Sequence, residues 1–159
     1  MQDHSDLYQK IALRDAAMGQ SSPRHVLDCY AGEGVIAGML WLSRAASVTC
    51  IERNPAKAAR IDPRARVIVG DNRDHVSIAA DADVIDCDAH GLVTPLIERI
   101  AGLARPGTLV IFTDGSPSAA KRWRAAERSS RRKLTDLLTD LHIETSPAGT
   151  ALYGYGWTK

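Results

Sequence analysis

The segment Val26–Gly34, with the sequence VLDCYAGEG, decides the fold of this 159-residue chain. An apolar run ends in an acidic residue and passes into a short turn, which is typical of a buried strand followed by a helix. Gly32 and Gly34 let the backbone approach a ligand that a side chain would block. The helix that follows offers backbone N–H groups that have no partner within the helix. The segment therefore predicts a ligand-binding turn at the carboxyl end of the first strand.

Strands and helices alternate along the rest of the chain. Apolar runs bounded by turn residues predict strands at residues 25–29, 47–52, 66–70, 82–88, 108–113, 142–146 and 150–158. Between them we expect an N-terminal helix over residues 1–19 with Leu7, Ile11 and Met18 on one face, a buried helix over 34–45, and helices opened by Asn54-Pro55, Thr94-Pro95 and Ser116-Pro117, the last reaching about Asp140. The helix after Thr94 should turn an apolar face that includes Leu103 towards the sheet.

This order of elements predicts an α/β fold. Strands that alternate with helices imply right-handed crossovers and a mostly parallel sheet. Only three residues separate the last two strands, so residues 141–159 must form an antiparallel hairpin. We expect a single domain over residues 1–159: a Rossmann-like, doubly wound, seven-stranded, mostly parallel sheet with an antiparallel last strand.

The composition limits the possible classes of protein. The formal net charge is +1, so any attraction to a polyanion must come from a local patch of charge. Cys29, Cys50 and Cys87 lie in separate apolar runs without a CxxC pair, which indicates reduced core residues and a cytoplasmic location. No apolar run approaches the roughly 18 residues of a membrane span, and the polar start is not a signal peptide. No cluster of side chains has metal-ligand spacing, so we expect no metal site.

Acidic residues around the glycine turn indicate which ligand it holds. Asp28 ends the first strand, where it could pair with an ammonium group but would repel a pyrophosphate. Glu33, between the glycines, would also be a poor neighbour for phosphates. Glu52 ends the second strand and could accept hydrogen bonds from a ribose diol, a role that would serve a nicotinamide dinucleotide equally well. Gly32, Gly34 and Ala37 also fit the GxGxxA dinucleotide fingerprint, so the glycines alone do not discriminate.

The segment resembles motif I of class I S-adenosylmethionine-dependent methyltransferases, in the form Asp-x-Tyr/Phe-x-Gly-x-Gly. The resemblance continues through residues 50–54, 69–72 and 105–110, and so covers roughly residues 25–115. It implies S-adenosylmethionine as the cofactor. By this resemblance, the methionine end would be held by Asp28, Tyr30, Ala31, Gly32, Glu33 and Gly34. Glu52 would bind the ribose with Arg53 beside it, Asp71 the adenine amino group, and Asn72 would pack beside the adenine ring.

The fourth strand carries a second resemblance. Residues 85–91, IDCDAHG, are similar to the Ile-Asp-x-Asp-Pro-Phe-Gly signature of tRNA guanine-N2 methyltransferases. Asp86 and Asp88 point to the same side of the strand, and Asp88, nearer its end, is the candidate catalytic acid. The resemblance implies that this acid accepts a proton or hydrogen bond from the target amine. Ala89 and His90 replace the proline and phenylalanine of the signature, and His90 could still stack on a base.

A cluster of basic residues follows the fifth strand. On a helix, the cations would share an arc of about 100° at Lys121, Arg124, Arg128, Arg131 and Arg132. The opposite side would be apolar, with Leu134, Leu137 and Leu141 packed on the sheet. In a nearly neutral protein such a stripe suits the phosphates of a nucleic acid.

Together these features predict a methyltransferase that acts on a nucleic-acid base, with RNA favoured over DNA and a base amine as the target. A small-molecule acceptor is an alternative, because the sequence contains no appended RNA-binding domain. A catalytically silent module that binds S-adenosylmethionine is another, suggested by the change at Ala89 and His90. A nicotinamide-dependent oxidoreductase is disfavoured by Asp28, by the reversed last strand and by the absence of a substrate domain. The oligomeric state is left open.

Overall fold

The computed structural model describes residues 6–115, 132–146, 149 and 151–159. The strands are β1 (His25–Asp28), β2 (Ser47–Glu52), β3 (Arg66–Val69), β4 (Val84–Ala89), β5 (Leu109–Asp114), β6 (Leu138–Thr145) and β7 (Leu152–Thr158). The helices are α1 (Leu7–Met18), α2 (residues 35–44), α3 (Pro55–Ala58), α4 (Thr94–Ala101) and α5 (residues 132–137). Two 3₁₀ segments, Asn72–Asp74 and Val76–Asp81, connect β3 to β4.

The seven strands form one sheet in the order β3-β2-β1-β4-β5-β7-β6. The pairs from β3 to β5 are parallel, whereas β7 runs antiparallel to both β5 and β6. The chain moves outward from β1 to β3 and then returns to place β4 on the other side of β1. This confirms the predicted fold class, and it puts the topological switch point between β1 and β4, where open α/β sheets bind their ligands.

Helices cover both faces of the sheet, so its strands are buried on both sides. On one face, α1 and α2 pack on the sheet around Leu13, Trp41 and Tyr153. On the other face, α4 and α5 contribute Ile97 and Leu134 to a second apolar cluster. Burial on two faces explains why β1, β2 and β5 are nearly continuous apolar runs rather than alternating ones. Cys29, Cys50 and Cys87 are buried free thiols, as predicted.

The end of the chain differs from the predicted boundaries. The helix expected to reach Asp140 ends at residue 137, and β6 begins at Leu138, so the hairpin is longer than residues 141–159. Leu141 therefore lies in a strand and not on a helix face. Pairing explains the change: Leu138 is opposite Thr158 of β7 and its side chain is buried, so tertiary contacts override the helical pattern. The pairing is irregular between Thr139 and His142.

Three details of the helices also differ from expectation. Leu103 is 45% exposed because α4 ends at Ala101, before the helical spacing would bring Leu103 back to the sheet. Thr94 does not cap α4, whose N-cap is Val93 without a side-chain hydrogen bond. The middle of α2, Ala37–Trp41, is π-helical, and Met39 is 51% exposed rather than buried. A wider turn changes which residues face the sheet.

Four residues of the predicted basic stripe, at positions 121, 124, 128 and 131, lie outside the described residues. Its fifth member, Arg132, begins α5 and is exposed. Within the described ranges, none of the helices has the length and apolar character needed to cross a lipid bilayer. The same part of the chain contains no group of three or more His, Cys, Asp or Glu side chains arranged to hold a metal ion.

Candidate functional site

The glycine turn after β1 has the backbone conformation that its sequence predicts. Gly32 and Gly34 have φ values of 57° and 77°, in the region that favours glycine. The Gly34 N–H donates to the carbonyl of Ala31 at 2.8 Å, which closes the turn. A Cβ on Gly34 would lie 3.1 Å from the side chain of Ile61, whereas a Cβ on Gly32 would meet nothing within 4 Å. Gly34 therefore packs inward, and Gly32 is the glycine that faces open space.

Two cavities flank this turn at the carboxyl ends of the strands. The first, which we call the α1 cavity, has a volume of about 370 Å³ and lies between α1, the turn and the ends of β4 and β7. The second, the α4 cavity, has a volume of about 620 Å³ and lies between the ends of β2 and β3 and helix α4. Tyr30, Gly32 and His90 line both cavities, so the two share a wall.

The structure brings most of the predicted site residues into these cavities. The α1 cavity is lined by Asp28, Ala31, Glu33 and Asp88, together with the shared Tyr30, Gly32 and His90. The α4 cavity is lined by Glu52, Arg53, Asp71 and Asn72, with the same shared residues. Of the predicted cofactor residues, Gly34 lines neither cavity. Arg132 also lines neither of them.

Asp28 is a buried carboxyl group at the floor of the α1 cavity. It is 3% exposed and accepts one hydrogen bond, from the backbone N–H of Tyr30 at 3.2 Å. Burial raises the pKa of Asp28 well above its usual range, the negative charge of Asp86 adds to this, and the Tyr30 N–H and the charge of Arg14 only partly offset it. A cation placed beside Asp28 would favour its ionised form. The group is thus poised to pair with a ligand ammonium.

Helix α1 explains how β4 can carry two more carboxylates into the same region. The guanidinium of Arg14 donates two hydrogen bonds to Asp86, from Nε and Nη2, each at 2.7 Å. The indole Nε1 of Trp41, in α2, donates to Asp86 at 2.9 Å. One helical turn before Arg14, the Nζ of Lys10 lies 2.8 and 3.0 Å from the two oxygens of Asp88. Asp86 and Asp88 therefore each have a cation, which offsets the cost of placing their charges in a sheltered site.

Asp88 is ionised at the edge of the cavity. Burial alone would raise its pKa, but the positive charges of Arg14 and Lys10 and the hydrogen bond from Lys10 outweigh this, so the pKa of Asp88 lies below its usual value. The side chains of Lys10 and Asp88 are 19% and 18% exposed. Asp88 thus offers an accessible carboxylate with a cation fixed beside it.

Lys10 and Arg14 were not identified from the sequence. The sequence pattern of α1 indicates an apolar face with Leu7, Ile11 and Met18, and by itself it indicates no role for the two cations. Two sequence patterns together indicate the contact. Two cations four residues apart share one face of a helix, and Asp86 and Asp88 share one face of a strand, where buried carboxylates need cationic partners.

In the α4 cavity, Glu52 is fixed by backbone groups on both sides. Its Oε2 accepts the Gly32 N–H at 2.9 Å and its Oε1 accepts the Asn54 N–H at 2.7 Å. These bonds hold the carboxylate in one orientation while leaving further lone pairs for a ligand hydroxyl. Glu52 therefore ties the glycine turn to the end of β2.

The acid and the amide after β3 are held just as firmly. Asp71 accepts the Arg73 N–H at 3.0 Å and a hydrogen bond from the Arg73 guanidinium at 2.7 Å, and these bonds lower its pKa. The side-chain amide of Asn72 is buried and donates to the Cys29 carbonyl at 3.0 Å. Since Cys29 follows β1 directly, this bond anchors the floor of the α4 cavity to the central strand.

Cations surround the α4 cavity. Its lining includes Arg53, Lys57, Arg73 and Arg99, which come from the β2–α3 loop, α3, the 3₁₀ segment after β3, and α4. Arg73 is paired with Asp71. Only Arg53 was singled out from the sequence, because the other three are brought together by the fold from separate segments.

His90 stands between the two cavities. It is exposed and follows β4 directly, two residues after Asp88. On the opposite side of the α1 cavity, the hydroxyl of Tyr153 donates to Asp6 at 2.9 Å, which joins the start of α1 to β7. Tyr153 itself is fully buried, as expected for a core residue. The arrangement can hold an elongated ligand that has an ammonium at Asp28 and a hydroxylated ring near Glu52.

No family model and no curated protein matches the sequence, but many solved structures share its fold. One is the N-methyltransferase NodS from Bradyrhizobium japonicum WM9, with 13% identity and a TM-score of 0.71 over 99% of this chain and 98% of that chain. NodS has also been crystallised with S-adenosylhomocysteine. A methyltransferase from Thiobacillus denitrificans, in complex with the same compound, has 14% identity and a TM-score of 0.62 over 95% and 90% of the two chains.

A third similar structure is named for a different activity. It is the precorrin 8W decarboxylase of Methanobacterium thermoautotrophicum, with 17% identity and a TM-score of 0.69 over 93% of this chain and 89% of that chain. At these identities the likeness establishes a common fold. This chain has the fold of S-adenosylmethionine-dependent methyltransferases of class I.

Proposed function

We propose that this protein is an S-adenosylmethionine-dependent methyltransferase whose acceptor is an amine of a nucleic-acid base, with RNA favoured over DNA. The observation that carries the proposal is the placement of Asp28 and Asp88 in one cavity that shares a wall with the Glu52 cavity. In this proposal Asp28 pairs with the ammonium of the cofactor, Glu52 accepts hydrogen bonds from its ribose, and Asp88 contacts the acceptor; the lining of the two cavities supports these roles.

The buried charges support this cofactor. Three carboxylates, Asp28, Asp86 and Asp88, lie around two cations, Lys10 and Arg14. The two cations are matched to Asp86 and Asp88, so Asp28 has no cation of its own among the described residues. An amino-acid ammonium would supply the missing positive charge, whereas a pyrophosphate would add negative charge beside a buried acid.

When bound, S-adenosylmethionine supplies an electrophilic methyl group on a sulfonium. The protein then contributes alignment, because displacement by an amine requires only that the reacting atoms lie in line. The Asp88 carboxylate accepts an N–H of the acceptor amine and so orients the nitrogen lone pair. After methyl transfer the acceptor nitrogen would have one proton to release, and Asp88 is placed to accept it.

The lowered pKa of Asp88 limits its strength as a base. It is nevertheless suited to an exocyclic base amine, since the cation formed by methylating such an amine is a strong acid that gives up its proton readily. From Asp88 the proton can pass to solvent at the cavity mouth. His90 lies between the cavities, where its ring could stack on the base.

The cations around the α4 cavity support a polyanionic acceptor. Arg53 and Arg99 are exposed, and Lys57 is half-buried. At this cavity they could contact the phosphates of a nucleic acid whose base reaches the shared wall. The basic stripe predicted around Arg124, Arg128 and Arg131 lies outside the described residues and stays a prediction.

A small-molecule amine is the second candidate. It is favoured by the closure of the α1 cavity on the side of α1, where Tyr153 and Asp6 are hydrogen-bonded. A cavity of about 370 Å³ has the size of small-ligand sites. A silent binding module is less well supported, because an ionised, accessible carboxylate at Asp88 is arranged for an acceptor.

The test is transfer of a labelled methyl group. Purified protein is incubated with methyl-labelled S-adenosylmethionine and either unmodified RNA transcripts or a mixture of small amines. The proposal expects label in RNA nucleosides, and loss of that label with Asp88→Asn. Label confined to the small amines would move the function to the second candidate, and no labelled product with bound cofactor would favour the silent module.

A further inference from the structure

The ion pair between Lys10 and Asp88 lies in the wall of the α1 cavity, and the proposed function assigns no part of the cofactor to Lys10. Lys10 reaches Asp88 from α1, with its Nζ 2.8 and 3.0 Å from the two carboxylate oxygens. Neither residue is fully buried. The fold therefore places a hydrogen-bond donor and a hydrogen-bond acceptor side by side in the wall of this cavity.

Both partners keep unused hydrogen-bonding capacity. An ammonium has three N–H groups and a carboxylate accepts about four hydrogen bonds. The two contacts with Asp88 occupy at most two of the Lys10 N–H groups, so at least one is left for a ligand. Asp88 keeps lone pairs for an N–H of a ligand. Together they can bind a group that presents an N–H next to a ring nitrogen or carbonyl oxygen.

The charge of Asp88 is already balanced by Lys10, so this carboxylate does not favour a cationic ligand. Glu33 pairs with Arg60 at 2.7 Å, and Asp6 accepts the hydroxyl of Tyr153. Asp28 is assigned to the cofactor by the proposed function. An alkyl ammonium entering the cavity would find Asp88 already neutralised and would have to approach the positive charge of Lys10.

Resting on the proposed function, we infer that Lys10 is a specificity-determining residue for the acceptor. The Lys10–Asp88 pair selects a neutral amine that has a hydrogen-bond acceptor next to it, as nucleobase edges do, and rejects alkyl ammonium compounds. Lys10 donates to the ring nitrogen or carbonyl oxygen, and Asp88 accepts the amine N–H. The ion pair thus sets the substrate class and not only the charge state of Asp88.

The inference is tested by acceptor binding to protein saturated with S-adenosylhomocysteine. Guanosine, cytidine and butylamine are titrated separately and followed by NMR. For the native protein we expect guanosine or cytidine to bind at least tenfold more tightly than butylamine. Lys10→Met should weaken nucleoside binding at least tenfold and strengthen butylamine binding, because it leaves Asp88 as an unpaired carboxylate. Lys10→Arg should keep the native preference.

Two controls separate this inference from folding and from the proposed function. Arg44→Met removes another ion pair of α1, with Asp15, away from the cavities, and should leave the preference unchanged. Binding of S-adenosylhomocysteine by Lys10→Met reports that the fold is intact. The inference is overturned if the native protein prefers butylamine, binds no nucleoside at millimolar concentration, or retains its preference in Lys10→Met. Failure of the native protein to bind S-adenosylhomocysteine would instead refute the proposed function.

Discussion

The α1 cavity and the α4 cavity share Tyr30, Gly32 and His90, yet they balance charge in different ways. Around the α1 cavity, acids outnumber cations, and Asp86 and Asp88 are each matched to a cation of α1. Around the α4 cavity, cations outnumber acids, and Arg53, Lys57 and Arg99 have no ion-pair partner among the described residues. A matched, partly buried set of charges suits precise alignment of a reacting group, whereas unmatched exposed cations suit attraction of an anion.

The largest expected effect lies in the α1 cavity. Asp88→Asn keeps the shape of the side chain but removes the charge that orients the acceptor amine. We expect turnover to fall by roughly 10²- to 10⁴-fold, the range for loss of a positioned acid or base. The affinity for S-adenosylhomocysteine should stay within about tenfold of the native value. Methyl-transfer assays and calorimetry measure the two quantities.

Asp62→Asn is the matched control for this prediction, because Asp62 pairs with Arg64 and lines neither cavity. It should leave turnover unchanged. If Asp88→Asn were as active as Asp62→Asn on the true acceptor, the matched pair in the α1 cavity would have no part in the reaction.

The second-largest effect is expected at Asp28, which should lower the stability of the apoprotein near neutral pH and strengthen ligand binding. Because burial raises the pKa of Asp28, the folded apoprotein holds its proton more tightly than the unfolded chain does. Protonated Asp28 therefore adds to the free energy of unfolding below the usual pKa of an aspartate, and this contribution is lost as pH rises through the raised pKa. Asp28→Asn should therefore increase the melting temperature of the apoprotein near neutral pH, measured by scanning calorimetry.

The same change should weaken the cofactor site. Loss of a hydrogen bond to a charged group in a sheltered site costs about 1.5–3 kcal/mol, so S-adenosylhomocysteine should bind roughly 10- to 150-fold less tightly. In the native protein, affinity should rise with pH through the raised pKa of Asp28, with proton release on binding. Calorimetry in buffers of different ionisation enthalpy detects that release, and its persistence in Asp28→Asn would assign it to another group.

A smaller effect is expected at the α4 cavity. Neutralising Lys57 and Arg99 should weaken binding of single-stranded RNA and flatten its salt dependence. Each lost phosphate contact lowers the slope of log affinity against log salt by about 0.7 for a single strand. The control neutralises Arg24 and Arg66, exposed cations that line neither cavity. Equal slopes for the two double variants would remove the α4 cavity from RNA binding.

The smallest effect should come from the wall that the cavities share. His90→Phe keeps a flat ring that can stack on a base, and it restores the residue found in the similar signature of tRNA guanine-N2 methyltransferases. It should therefore retain more activity than His90→Ala in the methyl-transfer assay. If the two variants were equally active, stacking by residue 90 would not contribute.

The parts of the fold that were predicted correctly are those with local signals. Positive φ at Gly32 and Gly34 and the cap at Asn54 follow from the residues themselves, and Asn54 accepts hydrogen bonds from two backbone N–H groups of α3. The switch between β1 and β4 follows from the alternation of elements. The start of β6 at Leu138 could not be read in this way, because it depends on pairing with a strand 14 or more residues later.

In the candidate site, too, residues with a local sequence signal could be predicted, and residues that depend on long-range packing could not. Asp28, Glu52 and Asp88 could be proposed from the sequence because each lies at or next to the end of a strand, beside a recognisable motif. Lys10 and Arg14 were missed because their roles depend on the packing of α1 against β4, at separations of 78 and 72 residues. Physical chemistry requires a cation near two sheltered carboxylates, but it does not specify where in the sequence that cation lies.

The central claim is that the charge arrangement of the α1 cavity selects an amino-acid ammonium over a pyrophosphate. Isothermal titration of the native protein with S-adenosylhomocysteine and with NAD tests it most directly. Both compounds contain adenosine and can use Glu52, so the difference reports on the surroundings of Asp28 and Glu33. We expect one molecule of S-adenosylhomocysteine to bind per chain and NAD to give no measurable binding. Binding of NAD with S-adenosylhomocysteine excluded would contradict it.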